Sequence, residues 1–181
     1  MPLQRCKVLV TRLLHNPKAR PMVVSGYHPI QGKYCFMNGF EAVFLNQNYG
    51  YPVAQSPMNE KTLADLMYSQ LPRYTESITD CTKWSGIDAT RIDLNDLESF
   101  IEAHGGRRKI DPTTCYQVNN GWYYDPLLLY DMAHLIPRNE VYASGKATAF
   151  SLKKDFPWLW FYNGEGEAGV LLPKNPIKKK E

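Results

Sequence analysis

Apolar positions along the chain fall into two patterns, stripes at helical spacing and short apolar or aromatic runs set between turns. Leu3, Cys6, Val10, Leu13 and Leu14 follow helical spacing in "LQRCKVLVTRLLHN", leaving Arg5, Lys7 and Arg12 mostly off that stripe. The β-branched Val8, Val10 and Thr11 keep a strand open as the alternative. From Arg20 the pattern changes. Three strands are expected near 21–28, 33–37 and 40–46, with turns at Pro29 to Gly32 and at Asn38-Gly39, a favoured hairpin pair.

The middle of the chain is less patterned. "NEKTLADLMYSQLP" offers Asn59 as a cap, Leu63, Leu66 and Met67 on one face, and Pro72 as a stop. The polar "RYTESITDCTKWSGIDAT" after it reads either as a long excursion or as the outer edge of a sheet. A clearer helix follows in "IDLNDLESFIEAHGG". Asp93 caps it, Leu94, Leu97, Phe100 and Ile101 form its apolar face, and Gly105 stops it behind His104. After a strand at about 114–118 and a turn at Asn119 to Gly121 comes "WYYDPLLLYDMAHLIPR". Here Asp125 is the cap, Pro126 takes the first helical position, and Leu128, Leu129, Met132, Leu135 and Ile136 face inward before Pro137. Strands near 139–143, 147–152, 158–162 and 167–172 complete the pattern. A helix followed by a meander occurs near the start and again near the end. The expected class is α+β, with antiparallel sheets and helices packed on one face.

Composition bounds this picture without redirecting it. In 181 residues, 44% are apolar and 22% charged, so the chain can bury a core and is not disordered throughout. The 12 Tyr, 7 Phe and 4 Trp suit half-buried strands. A net charge of +3 does not by itself imply nucleic acid, and the basic segment 176–181 reads as a solvated tail. Cys6, Cys35, Cys81 and Cys115 show no C-x-x-C spacing, no signal-peptide pattern opens the chain, and no run reaches a membrane span. A cytoplasmic protein with reduced thiols and no membrane partner is expected.

Three stretches resemble the sliding-clamp fold of the bacterial DNA polymerase III β subunit and its relatives in phages and mobile elements. The first is "ARPMVVSGYHPIQGKYCFMNGFEAVFL", with Asn38-Gly39-Phe40 where Asp-Gly-His is usual. The second is the helix entry "YYDPLLLYDMAHLI", and the third the closing "EAGVLLPKN". The resemblance covers about 19–46 and 116–175. It implies a clamp-like domain over 1–175, built from two helix-plus-meander units, with an insertion at about 48–115. Closing around a duplex would take several copies, so a homo-oligomer belongs to the same expectation.

The function the resemblance implies is a non-enzymatic accessory that binds DNA weakly or engages replication proteins. Arg5, Lys7, Arg12, Lys18 and Arg20 are the phosphate-contact candidates, with Arg107, Arg108 and Lys109 as a second cluster; the plainer readings are an ordinary solvated face for the first set and a helix-end charge match for the second. The last helix, carrying Asp125 and Asp131, offers a duplex little positive charge. Clamps also take partner peptides in an apolar groove, for which Met22, Val24, Leu172 and Pro173 are the candidates here, with buried strand positions as the plain alternative. An adaptor or inhibitor without DNA affinity is the competing reading. An enzyme is the least supported: G-x-S-x-G, P-loop, G-x-G-x-x-G and H-E-x-x-H patterns are lacking, and "GEGEAG" leads into a strand. His15, His28, His104 and His134 have no metal-ligand spacing. No catalytic residue, metal or cofactor is expected.

Overall fold

The computed structural model describes residues 3–15, 24–28, 33–38, 40–48, 87–119, 121–136, 140–144, 159–163, 165 and 167–174. The expected helix at 59–72, the strand at 147–152, and Lys18, Arg20 and Met22 lie outside them.

Helix α1 spans Leu3–Leu14 and buries Leu9, Val10 and Leu13. Strands β1 (Val24–His28), β2 (Lys33–Met37) and β3 (Glu41–Leu45) follow as an antiparallel meander. The outer-edge reading of the polar stretch holds for its end, because β4 (Ile87–Thr90) is the last strand of the sheet.

Helix α2 (Leu94–Ala103) starts at Asp93, whose carboxylate accepts the amides of Asn95 and Asp96, and Gly105 follows at φ 93°. That left-handed backbone is easy only for glycine. Leu97 and Ile101 are buried as expected, but Leu94 is 36% exposed because the first turn stands off from the core. A short helix α3 (Gly106–Lys109) and a two-stranded hairpin, β5 (Tyr116–Gln117) and β6 (Tyr123–Tyr124), lead into helix α4 (Pro126–Leu135). Strands β7 (Glu140–Ser144), β8 (Leu159–Tyr162) and β9 (Ala168–Leu171) complete the set.

Among the described residues, the seven strands outside the hairpin form one antiparallel sheet in the order β1-β2-β3-β9-β8-β7-β4. The joint between early and late segments is β3 against β9, with Ala42 opposite Val170 and Phe44 opposite Ala168. Side chains alternate as the pleat requires. Phe36, Val43, Leu45, Leu159, Phe161 and Leu171 join the helices in one core, whereas Cys35, Ala42, Phe44, Trp160, Ala168 and Val170 are buried outside it. Each fully buried large apolar side chain contributes about 1.5–3 kcal/mol.

One position sets how closely α4 approaches. Gly169 lies between Val43 and Phe161 on the helix-facing side of the sheet. A Cβ there would collide with Met132 Sδ and stand 3.3 Å from Ile136 Cγ1. Met132 is itself buried, so it has little room to give way. Gly169→Ala is therefore expected to cost about 1–3 kcal/mol by overpacking. Urea unfolding checks this, and a variant as stable as the parent would show that α4 does not sit so close.

Candidate functional site

Where β9 leaves the sheet, the chain runs across the head of α4 and opens a groove. Leu172 N–H donates to Phe40 O at 2.9 Å, extending the β3–β9 ladder by one bond, and Lys174 N–H donates to Tyr123 O at 2.7 Å. Between these ties Leu172, Pro173 and Lys174 face Pro126, Leu127 and Leu128 of α4, while Ile110, Asp111, Pro112 and Thr114 close one side and Phe40 another. The enclosed volume is about 480 Å³, within the range of ligand clefts.

Asp125 and Lys174 of this groove are occupied with each other and with neighbouring backbone. Asp125 uses Oδ1 to accept the amides of Leu127 and Leu128, which caps α4, and Oδ2 to accept Lys174 Nζ at 3.1 Å. Lys174 Nζ also donates to the carbonyls of Pro112 (2.7 Å) and Thr114 (3.0 Å). Its three donors are thereby matched by three acceptors. Pro126 brings no N–H to the first turn, so the head of α4 offers no spare amide to an anion. Cys115, beside this cluster, has its thiol pushed up by burial and by Asp125, against an opposing pull from Lys174. It remains a thiol at neutral pH and is not primed as a nucleophile. Most of the surface that the groove presents is apolar.

A second polar centre lies behind the groove, where α1 meets the sheet. Asn38 is fully buried in the β2–β3 turn. Its Nδ2 donates to Leu13 O and to Glu41 Oε1, both at 2.9 Å, and its Oδ1 accepts the amides of Phe40 and Glu41. All four of its hydrogen-bonding positions are used. Glu41 is 6% exposed, and burial pushes its carboxyl up to about 8, with Asn38 pulling the other way and Asp131 and Asp125 adding to the rise. Burial likewise raises the Cys35 thiol to about 12, and the Tyr116 hydroxyl, which donates to Asp96 at 2.5 Å, is raised by burial and by that carboxylate.

The expected phosphate contacts scatter. Arg12 and Arg107, from separate clusters, meet on Asp131 Oδ1 at 3.3 and 2.6 Å, and Arg107 lies 4.9 Å over the Tyr130 ring. The Tyr130 hydroxyl in turn donates to Glu98 at 2.8 Å. Lys7, Arg108 and Lys109 are exposed, and Arg5 is on α1. Of the expected groove residues, Leu172 and Pro173 line the groove, whereas Val24 sits on β1, separated from β9 by β2 and β3. Phe40, Leu127, Leu128 and the Lys174–Asp125 pair were not anticipated. Glu41 left a trace in the sequence, as a charge on the same strand face as Val43 and Leu45. Lys174 left none.

Among the described residues no group of three or more His, Cys, Asp or Glu is placed to hold a metal, and no helix is long and apolar enough to cross a membrane. No family model, curated protein or solved structure matches the chain.

Two substitution series test these polar centres. Asn38→Ala leaves Leu13 O and the Glu41 amide without partners in the interior and is expected to cost about 3 kcal/mol or more, at roughly 1–3 kcal/mol per orphaned group. At the groove, Asp125→Ala is expected to cost about 1–3 kcal/mol through the lost cap and the lost Lys174 partner, and Asp125→Asn less, because an asparagine oxygen still caps. Chemical denaturation orders the three, and equal stabilities for Asp125→Ala and Asp125→Asn would exclude the capping role.

Proposed function

We propose that this chain is a non-enzymatic, clamp-like accessory of DNA replication that works by binding, and that the groove at the head of α4 receives a short apolar segment of a replication protein. The observation that carries the reading is the groove itself. Leu172 and Pro173, the residues singled out by the clamp resemblance, stand in it beside Phe40, Ile110, Leu127 and Leu128. Its Asp125 and Lys174 are satisfied internally, so an entering segment gains by burying apolar side chains and not by hydrogen bonding to that pair. Its lining carries Asp111 and Asp125 against Lys174 alone, which favours a neutral or basic segment over an acidic one.

Weak duplex binding is the other half of the proposal, and the structure favours it less. Arg12 and Arg107 both donate to Asp131, so a phosphate would have to draw them from a carboxylate they already serve. An adaptor without DNA affinity would use the same groove. The two modes differ in salt response, since phosphate contacts weaken steeply with ionic strength and apolar contacts do not.

Titration of a fluorescent clamp-binding peptide, alongside a labelled duplex, tests the reading. Peptide binding in the range of about 1–100 μM, unchanged between low and high salt, is expected. Leu128→Glu or Leu172→Glu should weaken it at least ~10-fold by placing a charge in the apolar groove. Duplex binding that fades with salt and falls in Arg107→Ala would support the DNA half. Absence of both interactions at high protein concentration would overturn the proposal.

A further inference from the structure

The buried acid at the foot of α1 has a setting that the groove does not explain. Glu41 projects from β3 into a narrow cleft whose other walls are Leu9, Arg12 and Leu13 of α1 and Leu128, Asp131, Met132 and Leu135 of α4. The cleft holds about 20 Å³, room for a single water and for no substrate. A catalytic carboxyl needs a reacting partner within reach, so the position suits control and not chemistry.

The charged and polar groups facing Glu41 come from every element around it. Asn38 donates to it from the β2–β3 turn, Arg12 faces the cleft from α1, and Asp131 and, at greater remove, the capping Asp125 come from α4. Arg12 already donates to Asp131. A charge on Glu41 would therefore face a carboxylate that already holds the guanidiniums of both Arg12 and Arg107, in a space too small to hydrate it. Helix α1 is what closes that space. It is held by Leu9, Val10 and Leu13 in the core, by the Asn38 bond to Leu13 O, and by the half-exposed Arg12–Asp131 pair.

We propose that Glu41 is a proton-controlled latch: as the neutral acid it lets α1 close against the sheet and α4, and on losing its proton to solvent it favours release of the helix. With α1 docked, burial keeps the carboxyl protonated up to about pH 8. With α1 displaced, water would reach the carboxyl and its value would fall toward the ordinary 4.5. The docked state thus binds the proton more tightly. Its advantage is complete below the ordinary value, shrinks as pH rises, and is fully lost once pH passes the docked value. Over that window each pH unit favours release by up to tenfold, the limit for one proton, and above it the effect levels off. The latch does not depend on the groove having a ligand.

Hydrogen exchange of the intact chain, corrected for intrinsic rates and followed from about pH 5 to 9, reads this directly. The opening equilibrium of the Leu9, Val10 and Leu13 amides should rise by up to tenfold per pH unit and flatten near pH 8, while the β8 amides stay constant. Glu41→Gln, neutral at every pH and close in shape, should hold α1 protected across the range. Protection of α1 that ignores pH in the parent, a slope surviving in Glu41→Gln, or an equal change in β8 would overturn the latch. Should the variant fail to fold, carboxyl carbon NMR of the parent decides instead: titration of Glu41 in the ordinary carboxylate range overturns it, and titration near 8 supports it.

Discussion

The pairing of β3 with β9 is the constraint on which the rest of the structure depends. It joins residues 41–44 to residues 168–171, so the chain must close a loop of more than a hundred residues before any of these bonds form. Once made, the register puts Gly169 on the helix-facing side, and the missing side chain there lets Met132 and Ile136 of α4 come down onto the sheet. The same ladder runs one bond further to Phe40 and delivers Leu172, Pro173 and Lys174 to the head of α4. Core and groove thus follow from one non-local register. A slip of one residue would turn Ala168 and Val170 toward α4 and aim the chain after β9 elsewhere.

Two polar centres, one half-buried and one buried, behave differently. Lys174 and Asp125 satisfy each other and their neighbours, which leaves the groove between them apolar in effect although its composition is mixed. Asn38 is equally complete, but it completes itself by binding a carboxyl that burial keeps neutral. Both devices hold a crossing of chain segments without charging its surroundings, as the energetics of buried groups demand. The first supports a surface that accepts apolar side chains. The second ties the position of α1 to protonation.

Local elements were largely legible because their signals are local. Asp93 and Asp125 cap where a carboxylate precedes an apolar run, Gly105 takes the left-handed stop, and Lys33–Met37 has the aromatic and apolar make-up of a strand. Strand β6 was missed because Tyr123 and Tyr124 directly precede a strong helix start and pair for only two residues. Leu94 and Leu128 fit the apolar spacing of their helices, yet Leu94 is exposed and Leu128 only half-buried beside the groove. Periodicity gives a face, not the extent to which a neighbour covers it. Leu172 and Pro173 line the groove at the head of α4, whereas Val24, grouped with them from the sequence, lies on β1, with β2 and β3 between it and β9.

By itself the sequence determined the α+β class, the positions of most helices and strands, and which faces are apolar, since propensity, capping and hydrophobic period act within a few residues. Only the tertiary structure decided the register by which early and late strands join, that Arg12 and Arg107 meet on one aspartate, and that Lys174 pairs with Asp125. It alone decided that Glu41 is buried with an asparagine for company. Those outcomes depend on which distant segments are neighbours, and desolvation and pairing of charges exist only once that neighbourhood has formed.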